Sequence, residues 1–421
     1  MEEFSSGNAR FLDDRIGLYG EKVGQLMARE LTLFDDIVRT DHRHSKRARS
    51  AFDFLNTSAW SACHNMRDTL EQWFEQYPVI SKNDLRSRFR KRDANHESAF
   101  FELFLHEVFR RLELSPEVHP ESPSSRGRPD FAITSGSGSL YYVEANVVGL
   151  RGFMAKDPLE DEVFDAIDDL AVERPTRIAL DARTCGTLSQ SPPVRRIKAK
   201  VRQWVDRIDE EYRVPGRIEA EPSIRISHDE WSLNLAAFHR FDHDSKRMIH
   251  LGPSKGGVLN DDVALRKNVL AKAKQHRDLD RPLIVAMNTQ SGFQDRDDEL
   301  SALFGQEAVS WREDAHGNVV TLPYVTRQPD AVWRNRGGRR YSRLHGVLFF
   351  RGARPSTAHS VTSHLYVNPY IQADVPPELL QLGSARVRSR EMRWEAGMPL
   401  GDLLDLPEDW PGERTPGFSA G

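Results

Sequence analysis

Residues 128–148 read RPDFAITSGSGSLYYVEANVV, and this stretch decides the fold. Two short runs rich in β-branched and aromatic residues, PDFAIT and YYVEANVV, flank a Gly/Ser turn, SGSGS. Such a pattern predicts a β-hairpin. Side chains alternate along a strand, so Tyr142, Glu144 and Asn146 share one face. Tyr141, Val143, Ala145 and Val147 share the other, which is apolar. Asp130 begins the partner strand and is expected beside Glu144 across the ladder.

Two acidic side chains placed side by side repel unless a divalent cation sits between them. A hard cation such as Mg²⁺, or Mn²⁺ in its place, accepts a few carboxylates and keeps waters for itself and a substrate phosphate. That arrangement suits phosphodiester hydrolysis, in which the metal activates a water and offsets charge on the scissile phosphate. A third carboxylate is expected from the preceding helix, HESAFFELFLHEVFRRLEL, which ends at Ser115-Pro116. Phe100, Phe101, Leu103, Phe104, Leu105, Val108, Phe109 and Leu112 make it apolar nearly all round, so it should be buried. Glu97 suits the first turn of a helix, and Glu107 can pair with Arg111 at i+4. Glu102 has no such partner on its own helix, and a buried carboxylate needs a partner or a metal. Glu102 is therefore the expected third ligand beside Asp130 and Glu144.

A helix with Glu, then PD, then a hydrophobic strand ending in ExN resembles the PD-(D/E)XK, or restriction endonuclease-like, nuclease superfamily. The wider wording, HESAFFELFLHE, RPDF, YYVEAN, KAKQH and PLIVAMN, is similar to that of uncharacterised bacterial members of that superfamily. The resemblance covers residues 96 to about 290. It implies an α/β core of helix, β-hairpin, helix and strand, a metal-dependent deoxyribonuclease, and a setting in defence or repair. It also exposes a departure: Asn146 stands where the superfamily has a lysine that positions the attacking water. Asparagine can hydrogen-bond but brings no positive charge. Lys272 interrupts an apolar stripe with Leu265 and Val269 on the helix 263–276, which makes it the candidate replacement. Lys255, in GPSKGG, is an outside candidate. Gln275 resembles a glutamine that lies near the active site in the exonuclease branch. The alternatives are a nuclease fold kept for DNA binding or assembly after losing its lysine, and an unrelated α/β interaction protein.

Charge is patchy rather than extreme. The 421 residues carry a net charge of -4, with 38% hydrophobic and 29% charged residues. Basic runs stand at 86–92 (RSRFRKR), 195–202 (RRIKAKVR), 334–343 (RNRGGRRYSR) and 386–393 (RVRSREMR), against an acidic segment at 157–173. Local basic stripes on a mildly acidic chain suit a polyanion that touches part of the surface. Arg86, Arg88, Arg90, Arg339 and Arg340 are the candidate DNA-phosphate contacts. No stretch approaches the roughly 20 apolar residues that cross a bilayer, and the acidic start MEEFSSGNARFLDD does not read as a signal peptide. Two distant cysteines, Cys63 and Cys185, exclude a disulfide scaffold or structural zinc site and fit a reducing cytoplasm.

The organisation expected is an N-terminal helical region over 1–90 and a nuclease-like core over 91–290 with an insertion at about 151–260. A C-terminal α+β extension follows over 291–405, then a flexible tail, 406–421. His96, His106 and His119 flank the proposed site and are expected on the helix surface or in caps.

Overall fold

The computed structural model describes residues 31–43, 45–91, 94–122, 127–149, 157–173, 178–212, 222–239, 247–250, 261–290, 294–334, 341–372, 375–389 and 391–412. After an irregular segment come helices α1 (Ala51–Thr57), α2 (Ser61–Glu75), α3 (Val79–Phe89) and α4 (Ala94–Arg111). Ser50 starts α1, its hydroxyl accepting the Asp53 backbone N–H. Strands β1 (Glu117–Val118), β2 (Phe131–Thr134) and β3 (Leu140–Val148) follow, the last two as the expected hairpin.

The chain then makes α5 (Pro158–Glu173), β4 (Ile178–Cys185), α6 (Val194–Tyr212), β5 (Ser223–His228), β6 (Trp231–His239) and β7 (Ile249–His250). It returns through α7 (Asp261–Gln275), β8 (Leu283–Thr289), α8 (Arg296–Phe304) and a ribbon of β9 (Glu307–Ser310) and β10 (Tyr324–Arg327). Strands β11 (Leu344–Arg351), β12 (Thr362–Val367), β13 (Ser384–Arg388) and β14 (Glu391–Glu395) precede a short α9 (Leu400–Leu403).

The fold is mixed α/β around a mixed eight-stranded sheet, in the order β1-β2-β3-β8-β11-β12-β13-β14. Its centre is parallel: β3 pairs with β8, and β8 with β11. Parallel central strands are covered on both faces, and β8, LIVAMNT, is buried along its whole length. One face packs on α4 and the N-terminal helices, taking Tyr141, Val143, Ile284 and Ala286 from the strands. The other packs on α7 and α8, taking Tyr142, Leu283, Val285 and Met287. The alternation read from the sequence therefore sorts β3 between two layers.

The residues between β3 and α7 form a unit with its own sheet, β5-β6-β4-β7, and its own core, which includes Ile167, Leu180, Val201 and Trp231. Its acidic helix α5 docks on the N-terminal segment: Asp165 accepts the backbone N–H groups of Arg47 (2.7 Å) and Ala48 (2.9 Å), and Asp168 pairs with Arg47.

The flanking regions are joined closely to the core, and one expectation, the flexible tail from 406, needs correction. The N-terminal helices share a core with α4 and the sheet, because Phe52, Trp73 and Phe104 pack in one cluster with Phe131 and Val143. The C-terminal extension adds β11–β14 to the same sheet. The tail stays packed through residue 412: Trp410 Nε1 donates to Pro355 O at 3.0 Å, and Asn65 Nδ2 to Pro411 O at 2.9 Å. Residues 413–421 lie outside the described residues. Among the described residues, no helix is long and apolar enough to cross a membrane.

Candidate functional site

The β2–β3 ladder ends at the pair Phe131 and Val143. One step beyond, Asp130 stands opposite Glu144, and side chains at opposed positions share a face. Asp130 lies just outside the strand. Its Oδ2 accepts the Ala145 backbone N–H at 2.8 Å, taking the place of the next ladder bond. Burial raises the Asp130 carboxyl to about 7, helped by the negative charges of Glu144 and then Glu102. The Ala145 N–H and the Lys272 ammonium pull against them. Burial pushes Glu144 up as well, but His276 and Lys272 beside it more than offset this and hold it below the usual carboxylate range. The two acids are driven apart, one carrying a proton near neutrality and one ionised.

Lys272 Nζ lies 2.6 Å from Glu144 Oε1, with Lys272 partly exposed and Glu144 buried. On the other carboxylate oxygen, His276 Nε2 comes within 2.9 Å of Oε2. The imidazole is fully enclosed. Neither ring nitrogen, nor Oε2, completes a hydrogen bond among the described residues. Helix spacing brings these groups together. Asn268, Lys272 and His276 follow one another at intervals of four on one face, and the His276 N–H still bonds back to Lys272 O at 3.1 Å. Strand β3 meets that face with Glu144 and Asn146, two residues apart. Asn146 accordingly turns to the helix, its Nδ2 donating to Asn268 Oδ1 at 3.1 Å. Gln275, half-buried, lies against the loop that enters the hairpin: a Cβ on Gly127 would stand 3.3 Å from its Nε2, at a φ of +132°.

Glu102 is placed differently from expectation. It is buried, but Arg88 of α3 grips it through both terminal nitrogens, at 2.8 and 3.0 Å. The Tyr77 hydroxyl also donates to it, and His119 Nε2 is 3.5 Å away. Burial raises its pKa, yet His119, Arg88 and Tyr77 together bring it down to about 2. Glu102 is a satisfied structural anion near Asp130, not an open metal ligand. Its partner was missed because it comes from a different helix.

The arginines at 86, 88 and 90 of the basic run are likewise engaged within the molecule. Arg88 is held by Glu102 and Asp84, and Arg90 pairs with Asp35 and stacks over Phe52. Arg86 Nε donates to Thr32 O at 2.6 Å. Arg339, Arg340 and Lys255 lie outside the described residues. His96 and His106, expected on the surface, are buried; His96 Nδ1 lies 2.6 Å from Phe89 O. His276 was not singled out from the sequence, although stepping four residues along from Lys272 leads to it.

Among the described residues no three His, Cys, Asp or Glu side chains already form a closed metal-binding group. The donors present fit a hard divalent cation nonetheless. Glu144 Oε2 is buried with His276 Nε2 beside it at 2.9 Å, and Asp130 is a crowded acid that a cation would ionise. Mg²⁺ needs only one or two protein carboxylates, with waters and phosphate oxygens completing its shell. No protein-family model, curated protein or solved structure matches the chain.

Proposed function

We propose that this chain is a metal-dependent deoxyribonuclease with a restriction endonuclease-like core, hydrolysing phosphodiester bonds at Asp130, Glu144 and Lys272. The observation that carries the reading is a pair of crowded carboxyls across the end of a hairpin, with a lysine ammonium 2.6 Å from one of them. The order helix α4, hairpin β2–β3, helix α7 and parallel strand β8 supports the fold half of the reading.

Asp130 and Glu144 would hold the cation, with Asp130 giving up its proton to become a ligand. When bound, Mg²⁺ or Mn²⁺ supplies an activated water and offsets negative charge on the scissile phosphate. Lys272 replaces the cation that Asn146 cannot provide: its ammonium orients the water and balances the charge that develops on the phosphate. His276 backs Glu144 from the buried side, and Gln275 lies at the entrance beside Gly127. Asn146 fixes α7 to β3 through Asn268.

One observation favours a second reading, a catalytically inactive DNA-binding or assembly module. The Lys272 ammonium pairs with Glu144 and offsets its charge, which weakens the pull of the pair of acids on a cation. The test is a cleavage assay on linear, circular and single-stranded DNA, with Mg²⁺ or Mn²⁺ against EDTA. Cleavage that needs the metal and disappears in Asp130→Ala supports the enzyme. DNA binding with no cleavage under any condition supports the inactive module.

A further inference from the structure

We infer that the unit inserted between β3 and α7 is a clamp for the DNA backbone, gripping phosphates with the outward face of α6. The inference rests on the nuclease reading and adds a surface to it.

Helix α6 is strongly two-sided. Ile197, Val201, Trp204, Val205 and Ile208 face the core of the inserted unit. From Val194 to Val205 the helix carries five basic residues and no acidic one. Arg195, Arg196 and Lys200 are exposed and have no ion-pair partner among the described residues. Arg207 is also exposed and extends the same face. At a rise of 1.5 Å per residue, Arg195 to Arg207 spans roughly 18 Å, long enough to meet several phosphates of a duplex.

A basic helix face in isolation is ordinary solvated surface. Two further observations give this one an occupant. First, charge is segregated within the unit. The acidic helix α5 uses Asp165, Asp168 and Asp169 against Arg47, Ala48 and Lys46 of the N-terminal segment, so part of its negative charge is matched inside the molecule. Arg195, Arg196 and Lys200 have no such partner among the described residues and suit an external polyanion. Second, both junctions of the unit lie on the elements that carry the candidate site. The unit leaves from the end of β3, the strand of Glu144, and returns at the start of α7, the helix of Lys272. The unit that would hold the duplex is thus continuous in the chain with both elements that carry the chemistry. The arginines at 86, 88 and 90, engaged within the molecule, leave this binding role open.

The experiment measures binding of a fluorescent duplex by anisotropy in EDTA, where no cleavage occurs, across a salt series. Wild type is compared with the triple variant Arg195→Ala, Arg196→Ala, Lys200→Ala and with Arg195→Lys, Arg196→Lys. The triple variant is expected to bind about tenfold or more weakly. Its salt slope should be shallower by about 2 to 3, since each neutralised phosphate contributes about 0.9. The lysine variant should keep the wild-type slope. Wild-type affinity and slope in the triple variant, alongside normal wild-type cleavage, would overturn the clamp and leave the nuclease reading standing. Absence of any salt-dependent DNA binding by wild type would overturn both.

Discussion

The ammonium of Lys272 lies 2.6 Å from Oε1 of Glu144, a contact between residues 128 apart in the chain. It joins the helix after the inserted unit to the strand before it, and it puts a positive charge where Asn146 has none. Lys272→Ala should therefore lower cleavage by about a hundredfold, the usual cost of losing a charge-stabilising donor. It should also leave Glu144 as a buried anion with a weaker partner, costing about 1 to 2 kcal/mol. That lies below the range for a fully buried pair, because Lys272 is partly solvated. Metal affinity, followed by titration calorimetry, should hold or rise, since the ammonium no longer competes for Oε1. Normal cleavage by the variant would remove Lys272 from the mechanism.

Asp130→Asn keeps an oxygen for the Ala145 N–H but cannot ionise. It should fold as wild type does and lose metal-dependent cleavage entirely. Circular dichroism and the cleavage assay on one preparation check the two halves of this expectation.

The opposed shifts of Asp130 and Glu102 set a pH profile for the metal-free protein. Glu102 titrates at about 2 when folded against 4.5 in a free side chain, so its contribution to stability is present above pH 4.5 and is lost as pH falls toward 2. Asp130 is shifted upward instead, so the folded state binds the extra proton between about pH 4 and 7. Stability should fall as pH rises through that window and level off above it. Urea melts of Asp130→Asn should lack this decline, gaining on wild type as pH rises from 4 to 7. For the same reason, Mg²⁺ or Mn²⁺ affinity in wild type should climb up to about pH 7 and then flatten.

Arg88→Ala strands Glu102 in the interior with only Tyr77 and His119 as donors. Breaking a buried pair from one side typically costs 3 to 5 kcal/mol, and the remaining donors place this case at about 3. The loss should appear in stability and not in the salt dependence of DNA binding. A reduced salt slope without destabilisation would return Arg88 to the DNA surface. Glu102→Gln should likewise leave metal affinity unchanged.

Much of the architecture is local pattern and was legible. The alternation in YYVEANVV, the Gly/Ser turn and the all-round apolar helix at 96–114 each depend on a few neighbouring residues, and β2, β3 and α4 form where they indicate. The position of Asp130 opposite Glu144 follows from the same register.

What the chain could not reveal by itself are contacts made across long separations. The buried surroundings of Glu102 were readable, but its partner Arg88 sits on a helix whose basic run looks, in one dimension, like a solvent-facing patch. The closure of Glu144 by Lys272 and His276 depends on how α7 lies across β3, and no spacing within either element encodes that crossing. The joining of β11–β14 to the same sheet is likewise a tertiary choice, because β8 has two edges and only packing determines which strand takes the second. Periodicity and residue type fix the elements and the identity of the reactive groups. Which charges meet, and which are left for a ligand, is decided by burial, where an unpaired charge is too costly to leave alone.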